Sequence, residues 1–151
     1  ARDMLIGAID HEERVTVTPT FEGSQARNEN IGPESGMTVM MDRSQIGCFV
    51  RGTSNDLDSR TMGYGMTFLH ELGHTKIGGN RRDYYDFESH GLFGQTGPNV
   101  DYMNQIRREL GSRFGERFSY PSRKRIIPFS LNSFNEMINN KIPHRSYIRT
   151  N

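Results

Sequence analysis

The stretch Met62-Gly63-Tyr64-Gly65-Met66-Thr67-Phe68-Leu69-His70-Glu71-Leu72-Gly73-His74 is where the period of the chain changes. Met62, Met66, Leu69 and Gly73 recur at spacings of four and three, and Met66, Leu69 and Leu72 at three. That is the spacing of a helix rather than of a strand. Ser59 or Thr61 can cap its start, and Gly78-Gly79 follow as a stop. Gly63 and Gly65 weaken the first turn. The segment is expected to be an amphipathic helix with Leu69 and Leu72 on its buried side.

Upstream of it the sequence reads as β-rich. Met4 to Ile9 and Arg14 to Thr18 are apolar or β-branched runs separated by Asp10-His11-Glu12-Glu13, a pattern that predicts a hairpin. Glu22 to Gly36 is polar and reads as a loop. Met37 to Met41 and Ile46 to Val50 form a second pair of short apolar runs, joined through Asp42-Arg43-Ser44-Gln45.

Downstream, Arg81 to Gly97 shows no clean period and reads as a long loop. Thr96-Gly97-Pro98 then has the signature of a helix start, with Pro98 at the first helical position. Val100, Met103, Ile106 and Leu110 form its apolar stripe, and Gly111 ends it. Ser133 to Asn139 suggests a further short helix. Strands followed by a helix, a loop and a second helix predict an α+β domain rather than a parallel βαβ sheet. At 151 residues, one domain over 1–151 is expected.

Composition narrows the function classes. Only 33% of residues are hydrophobic, sixteen are glycine, and the mean hydropathy is −0.73. So lean a chain gains from a bound metal, because binding to the native state adds to folding stability. The net charge of +1 gives no electrostatic footprint for nucleic acid. The clusters Arg81-Arg82, Arg107-Arg108 and Arg123-Lys124-Arg125 read as solvated surface. No run is long enough to span a membrane. The single cysteine, Cys48, excludes an internal disulfide and a cysteine zinc cluster. Within Ile46-Gly47-Cys48-Phe49-Val50 it reads as a buried core residue.

The chemistry sits in His70-Glu71-Leu72-Gly73-His74, which matches H-E-x-x-H. Residues i and i+4 lie on one helix face about one turn apart, so two imidazoles can reach one cation. Zinc takes neutral imidazole nitrogens readily. Glu71, beside the first histidine, is the candidate general base toward a water acidified by the metal. The pattern arises by chance in about one chain in a hundred of this length. It is therefore the helical setting that gives it weight.

A catalytic zinc needs a third protein ligand. Gly at 77 and His at 80 would make the metzincin pattern, but Ile77 and Asn80 stand there. The remaining candidates are Asp83, Asp86, Glu88, His90, Asp101 and Glu109. Asp101 is favoured because it lies in the first turn of the next predicted helix, beside the apolar stripe. His90, in Ser89-His90-Gly91, is the runner-up. Asn104, at i+3 from Asp101, could support it. Tyr120 and Arg117 are candidates to stabilise an oxyanion. His11 and His144 read as surface residues.

Residues Thr67 to Gly79 resemble the active-site helix of the zincin superfamily. Gly97-Pro98-Asn99-Val100-Asp101-Tyr102-Met103-Asn104-Gln105-Ile106-Arg107-Arg108-Glu109-Leu110-Gly111 is similar to a helix of NleD-like effector metallopeptidases and of the peptidase domains of Rhs-type toxins. In those, an Arg-x-x-Tyr follows, as Arg117-Phe118-Ser119-Tyr120 does here. The family's acidic residue shortly before that helix is replaced by Gln95 and Thr96, and Asp101 is then the substitute. The resemblance covers roughly residues 60 to 120. It implies a small zincin-like fold and an exported bacterial effector or toxin domain acting on a protein target.

The expected activity is therefore zinc-dependent peptide-bond hydrolysis. Zn2+ is held by His70, His74 and Asp101, Glu71 is the base, and Tyr120 assists. The expected partner is a protein or peptide, with no nucleic acid and no membrane. An extended substrate is expected to add a strand along Met37 to Met41. A metal-dependent amidase or other hydrolase, or a non-catalytic zinc-binding interaction domain, are the alternatives.

Overall fold

The computed structural model describes residues 1–29, 36–53, 55–83, 96–118 and Phe129. In chain order these form α1 (Arg2–Asp10), β1 (Arg14–Thr20), β2 (Gln25–Glu29), β3 (Gly36–Asp42), α2 (Arg43–Gly52), a 3-10 turn at Ser59–Met62, α3 (Tyr64–Gly73), α4 (Gly97–Leu110) and a 3-10 turn at Ser112–Phe114. The class is α+β, with a small three-stranded sheet ordered β1-β3-β2.

β3 is the centre of that sheet because it carries the alternation that a half-buried strand needs. Met37 and Val39 are buried on one face, and Met41 packs against the cluster that contains Val39. β1 runs parallel to β3, pairing Val15 with Met37 and Val17 with Val39. β2 runs antiparallel to it, pairing Ala26 with Val39. Met37 to Met41 is thus paired on both sides and cannot accept a substrate strand. Among the described residues, the sheet edges are β1 and β2. Gln25–Glu29, within the stretch read as a loop, is a strand because an edge needs little apolar surface of its own.

Two expected strands are helices. Met4 to Ile9 belongs to α1: Met4 and Ala8, one turn apart, face the core, while Leu5, Ile6 and Ile9 are exposed. No hairpin with β1 exists, because β1 takes β3 as its partner. Ile46 to Val50 belongs to α2, which is fixed by its cap. Asp42 accepts from the N–H groups of Ser44 (2.9 Å) and Gln45 (3.0 Å). Its other oxygen accepts from Gly23 N at 3.0 Å, and Ser24 N donates to Gln45 Oε1 at 2.9 Å. One junction therefore ties the approach to β2, the end of β3 and the start of α2. Ile46 is buried, but Cys48 is only half-buried.

α3 lies between the sheet and α4. Leu72 is fully buried with Met4 and Val39, and Phe68 and Leu69 pack alongside. Burying such a leucine stabilises by about 1.5–3 kcal/mol. On the other side Met66 meets Met103 and Ile106 of α4. α4 begins as expected at Gly97-Pro98 and ends at Gly111, whose φ of 116° suits only glycine. Arg107, expected at the surface, is buried. Its guanidinium donates to Thr61 Oγ1 (3.0 Å) and Asn104 Oδ1 (3.1 Å). Burial, with the nearby charge of Arg117, lowers its pKa to about 9. Ser133 to Asn139, Arg123 to Arg125 and His144 lie outside the described residues.

Candidate metal centre

α3 delivers the first two side chains. His70 is in its last turn and His74 follows it as the C-cap, still with helical backbone (φ −78°, ψ −15°). The four-residue spacing therefore keeps both rings on one face. Their centroids are 5.0 Å apart, edge to face.

The chain then turns back over the end of α3. Gly79 and Asn80 both have positive φ, and glycine and asparagine are the residues that tolerate it best. Asn80 N donates to Thr75 O at 2.8 Å and Arg81 N to Gly73 O at 3.0 Å. The next residues are used one after another. Arg81 O accepts from His74 Nδ1 at 2.6 Å. Arg82 O accepts from Asn99 N at 3.1 Å. Asp83 Oδ1 accepts from Val100 N at 3.2 Å, in the first turn of α4, where a carboxylate is favoured.

Asp83 Oδ2 is thereby turned toward the histidines. It stands 3.0 Å from His70 Nε2 and 3.1 Å from His74 Nε2. It is buried and, among the described residues, receives no hydrogen bond of regular geometry. A carbonyl can only accept, so His74 Nδ1 carries a proton and, in the neutral ring, Nε2 presents a lone pair to Asp83. One donor atom from each of His70, His74 and Asp83 lies within 4.8 Å of the other two. Donors around one zinc, at roughly 2.0–2.2 Å from it, fall within such a span. The donor chemistry and the unsatisfied carboxylate oxygen both fit a divalent cation.

The electrostatics follow from this packing. Burial works against the charge on Asp83, but the two imidazoles outweigh it and hold its pKa well below the usual carboxylate range. Burial likewise opposes a charged His74, yet the Asp83 carboxylate and the Arg81 carbonyl raise its pKa. Glu71 is buried beside them. Burial raises its pKa, with the rings of His70 and His74 pulling the other way.

The histidine pair and Glu71 come together as the motif predicts, but the carboxylate beside them is Asp83 rather than Asp101. Asp101 is exposed on α4, and its carboxylate accepts from Thr96 Oγ1. It lies beyond the first turn of α4, and the contact with Thr96 holds its carboxylate at the helix start. Asn104 supports another contact. Its amide donates to Arg117 O (2.8 Å) and accepts from Arg117 N (2.8 Å), pinning that backbone to α4. Arg117 is close enough for its charge to lower the pKa of Glu71. Asp86, Glu88, His90 and Tyr120 lie outside the described residues. His11 is exposed, as expected.

Asn99 is the residue that the sequence reading passed over. It is fully buried, with its Nδ2 3.2 Å from His74 Nε2 and 3.3 Å from His70 Nδ1. The signal was present: Asn99, Met103 and Ile106 share the i, i+4, i+7 stripe of α4, so a polar residue had to be buried there.

No protein family matches the chain, and neither does any curated protein or solved structure. Among the described residues, no helix is long and apolar enough to cross a membrane.

Proposed function

We propose that the chain is a metal-dependent hydrolase of peptide bonds, with a divalent cation held by His70, His74 and Asp83. Zinc suits this set of two imidazoles and a carboxylate. One observation carries the reading. Two imidazole Nε2 atoms converge on a buried carboxylate oxygen that no regular hydrogen bond satisfies, beside a buried glutamate.

When bound, the cation supplies a Lewis acid that polarises a carbonyl and acidifies a water. The chain's residues do the rest. Glu71 takes a proton from the attacking water and returns it to the leaving amine; burial makes its carboxylate more basic, which suits that task. The Arg81 carbonyl fixes the His74 tautomer. Arg117 is the candidate to meet negative charge developing on the substrate, with Tyr120 in the same role. His70, His74 and Asp83 offer three protein donors, the number with which a catalytic zinc keeps a position for water or substrate. The helix-borne histidine pair fits a zincin-like plan. The likeness of residues 60 to 120 to effector peptidases extends the proposal to a domain delivered into a target cell.

Elemental analysis of protein purified without added metal or a histidine tag tests this first. Wild type is expected to carry about one zinc per chain and His74→Ala none, as loss of a ligand demands. Glu71→Gln is expected to keep its metal and lose about 10²- to 10⁴-fold in cleavage of a peptide library. No metal in wild type, and no uptake on titration, would overturn the proposal.

A further inference from the structure

Asn99 is a buried amide with an unusual set of neighbours. Nδ2 donates to His70 O at 2.9 Å while standing within 3.3 Å of a ring nitrogen of each histidine. That carbonyl is open to it because α3 tightens at its end. The N–H of His74 turns to Glu71 O, three residues back, at 3.0 Å. The backbone N–H of Asn99 donates to Arg82 O, one residue before Asp83. A single residue of α4 therefore stands against both histidines through its side chain and holds the backbone just before Asp83 through its own N–H.

Such an approach requires a gap in α3, and the motif contains one. Gly73 stands between the ligands, on the surface that α4 meets. A Cβ built there would run into Asn99 Oδ1 far inside van der Waals contact and would lie 3.1 Å from Asn99 Cγ. Gly73 lies within α3 and has no positive φ, so its backbone does not call for glycine. Glycine costs about 1 kcal/mol relative to alanine inside a helix. Space for the amide is the reason that the geometry offers.

We infer that Asn99 is a positioning residue of the metal centre, setting the separation and orientation of the two imidazoles, and that Gly73 is the notch that admits it. This rests on the reading of His70, His74 and Asp83 as ligands. Its consequence is that the fourth residue of the motif is fixed by α4: in His70-Glu71-Leu72-Gly73-His74, Leu72 is set by the core and Gly73 by Asn99.

Cobalt(II) titration followed by visible absorption separates this from simple packing, since the d–d bands report coordination geometry directly. Wild type, Asn99→Ala, Gly73→Ala and the double variant are compared, each checked for a cooperative melt. Asn99→Ala is expected to bind Co2+ about 10- to 100-fold more weakly, the usual effect of losing a group that orients a ligand, with altered bands. Gly73→Ala is expected to weaken binding by displacing the amide. The double variant is expected to be no worse than Asn99→Ala, because the added methyl group enters vacated space. Wild-type affinity and bands in Asn99→Ala would overturn the inference, as would full additivity of the two substitutions. If Asn99→Ala does not melt cooperatively, the double variant is read in its place, and wild-type affinity there overturns the inference. Failure of wild type to bind Co2+ would instead sink the ligand assignment itself.

Discussion

The choice between Asp83 and Asp101 can be decided by exchanging each for asparagine. Asp83→Asn keeps an oxygen for Val100 N, which Asp83 Oδ1 now satisfies, and removes the anionic donor from the histidines. Asp101→Asn alters an exposed group whose contact is Thr96. The quantity to measure is the zinc-induced change in melting temperature within each variant, so that intrinsic stability drops out. At free zinc of about 100 times Kd, binding stabilises wild type by about 2.7 kcal/mol. For a chain of this size that corresponds to a rise of roughly 5–11 °C. If loss of the anionic ligand weakens binding by about 100-fold, the same zinc concentration yields only about 0.4 kcal/mol, or roughly 1–2 °C. Asp101→Asn should retain the full rise. Differential scanning calorimetry at one fixed zinc activity is sufficient. A full shift in Asp83→Asn together with a lost shift in Asp101→Asn would refute the assignment made from the geometry.

Three further outcomes concern the frame around the site. For Asp42, burial opposes the charge, but hydrogen bonds from Gln45, Ser44 and Gly23 prevail and lower its pKa from 3.8. The stability it contributes is therefore present above about pH 4 and lost as pH falls through the lower folded value. Asp42→Asn should cost about 1–3 kcal/mol at pH 7, and the gap should narrow in acid; equal urea midpoints at neutral pH would contradict this. Leu72→Ala should destabilise by about 2–5 kcal/mol, because the site is fully buried between α3 and β3; a loss below about 1 kcal/mol in chemical denaturation would mean that the core closes over the cavity. Thr61→Val should cost about 1–3 kcal/mol, since its buried hydroxyl accepts from Arg107 and donates to Phe114 O; an unchanged melting temperature would show that network to be dispensable.

The sequence disclosed the elements whose signals are long or chemically specific. α3 follows from the Met66, Leu69, Leu72 period, and α4 from Pro98 at its start and Gly111 at its end. The failures have identifiable causes. Met4 to Ile9 and Ile46 to Val50 are short apolar runs, in which strand and helix cannot be separated by period alone. For the second run a deciding signal was present. Asp42 followed three residues later by Gln45 is a capping pattern, although it reads equally as a turn. β2, Gln25–Glu29, has Ala26 as its one hydrophobic residue and so carries no alternation to read. The expectation of Asp101 rests on its place on a helix face, a local argument. Asp83 reaches the histidines through the path of the backbone, reversed at Gly79 and Asn80, and no periodicity encodes such a path.

That path also explains why the site needs α4. Asp83 and Glu71 are two buried carboxylates close enough for the charge of Asp83 to raise the pKa of Glu71. Like charges in a poorly solvated place cost stability unless a cation offsets them. The core is too lean to absorb that cost readily: among the described residues its buried hydrophobics are four methionines, five branched residues and Phe114. The first turn of α4 supplies part of the compensation. The N–H of Val100 holds Asp83, and Asn99 presents its amide hydrogens to the His70 carbonyl beside the rings. A divalent ion at His70, His74 and Asp83 would supply the rest and would tie α3 to the Asp83 segment that Val100 of α4 holds. Metal binding, helix docking and the basicity of Glu71 are on this view one coupled equilibrium. A substitution that loosens the start of α4 should therefore weaken metal binding before it alters the strands.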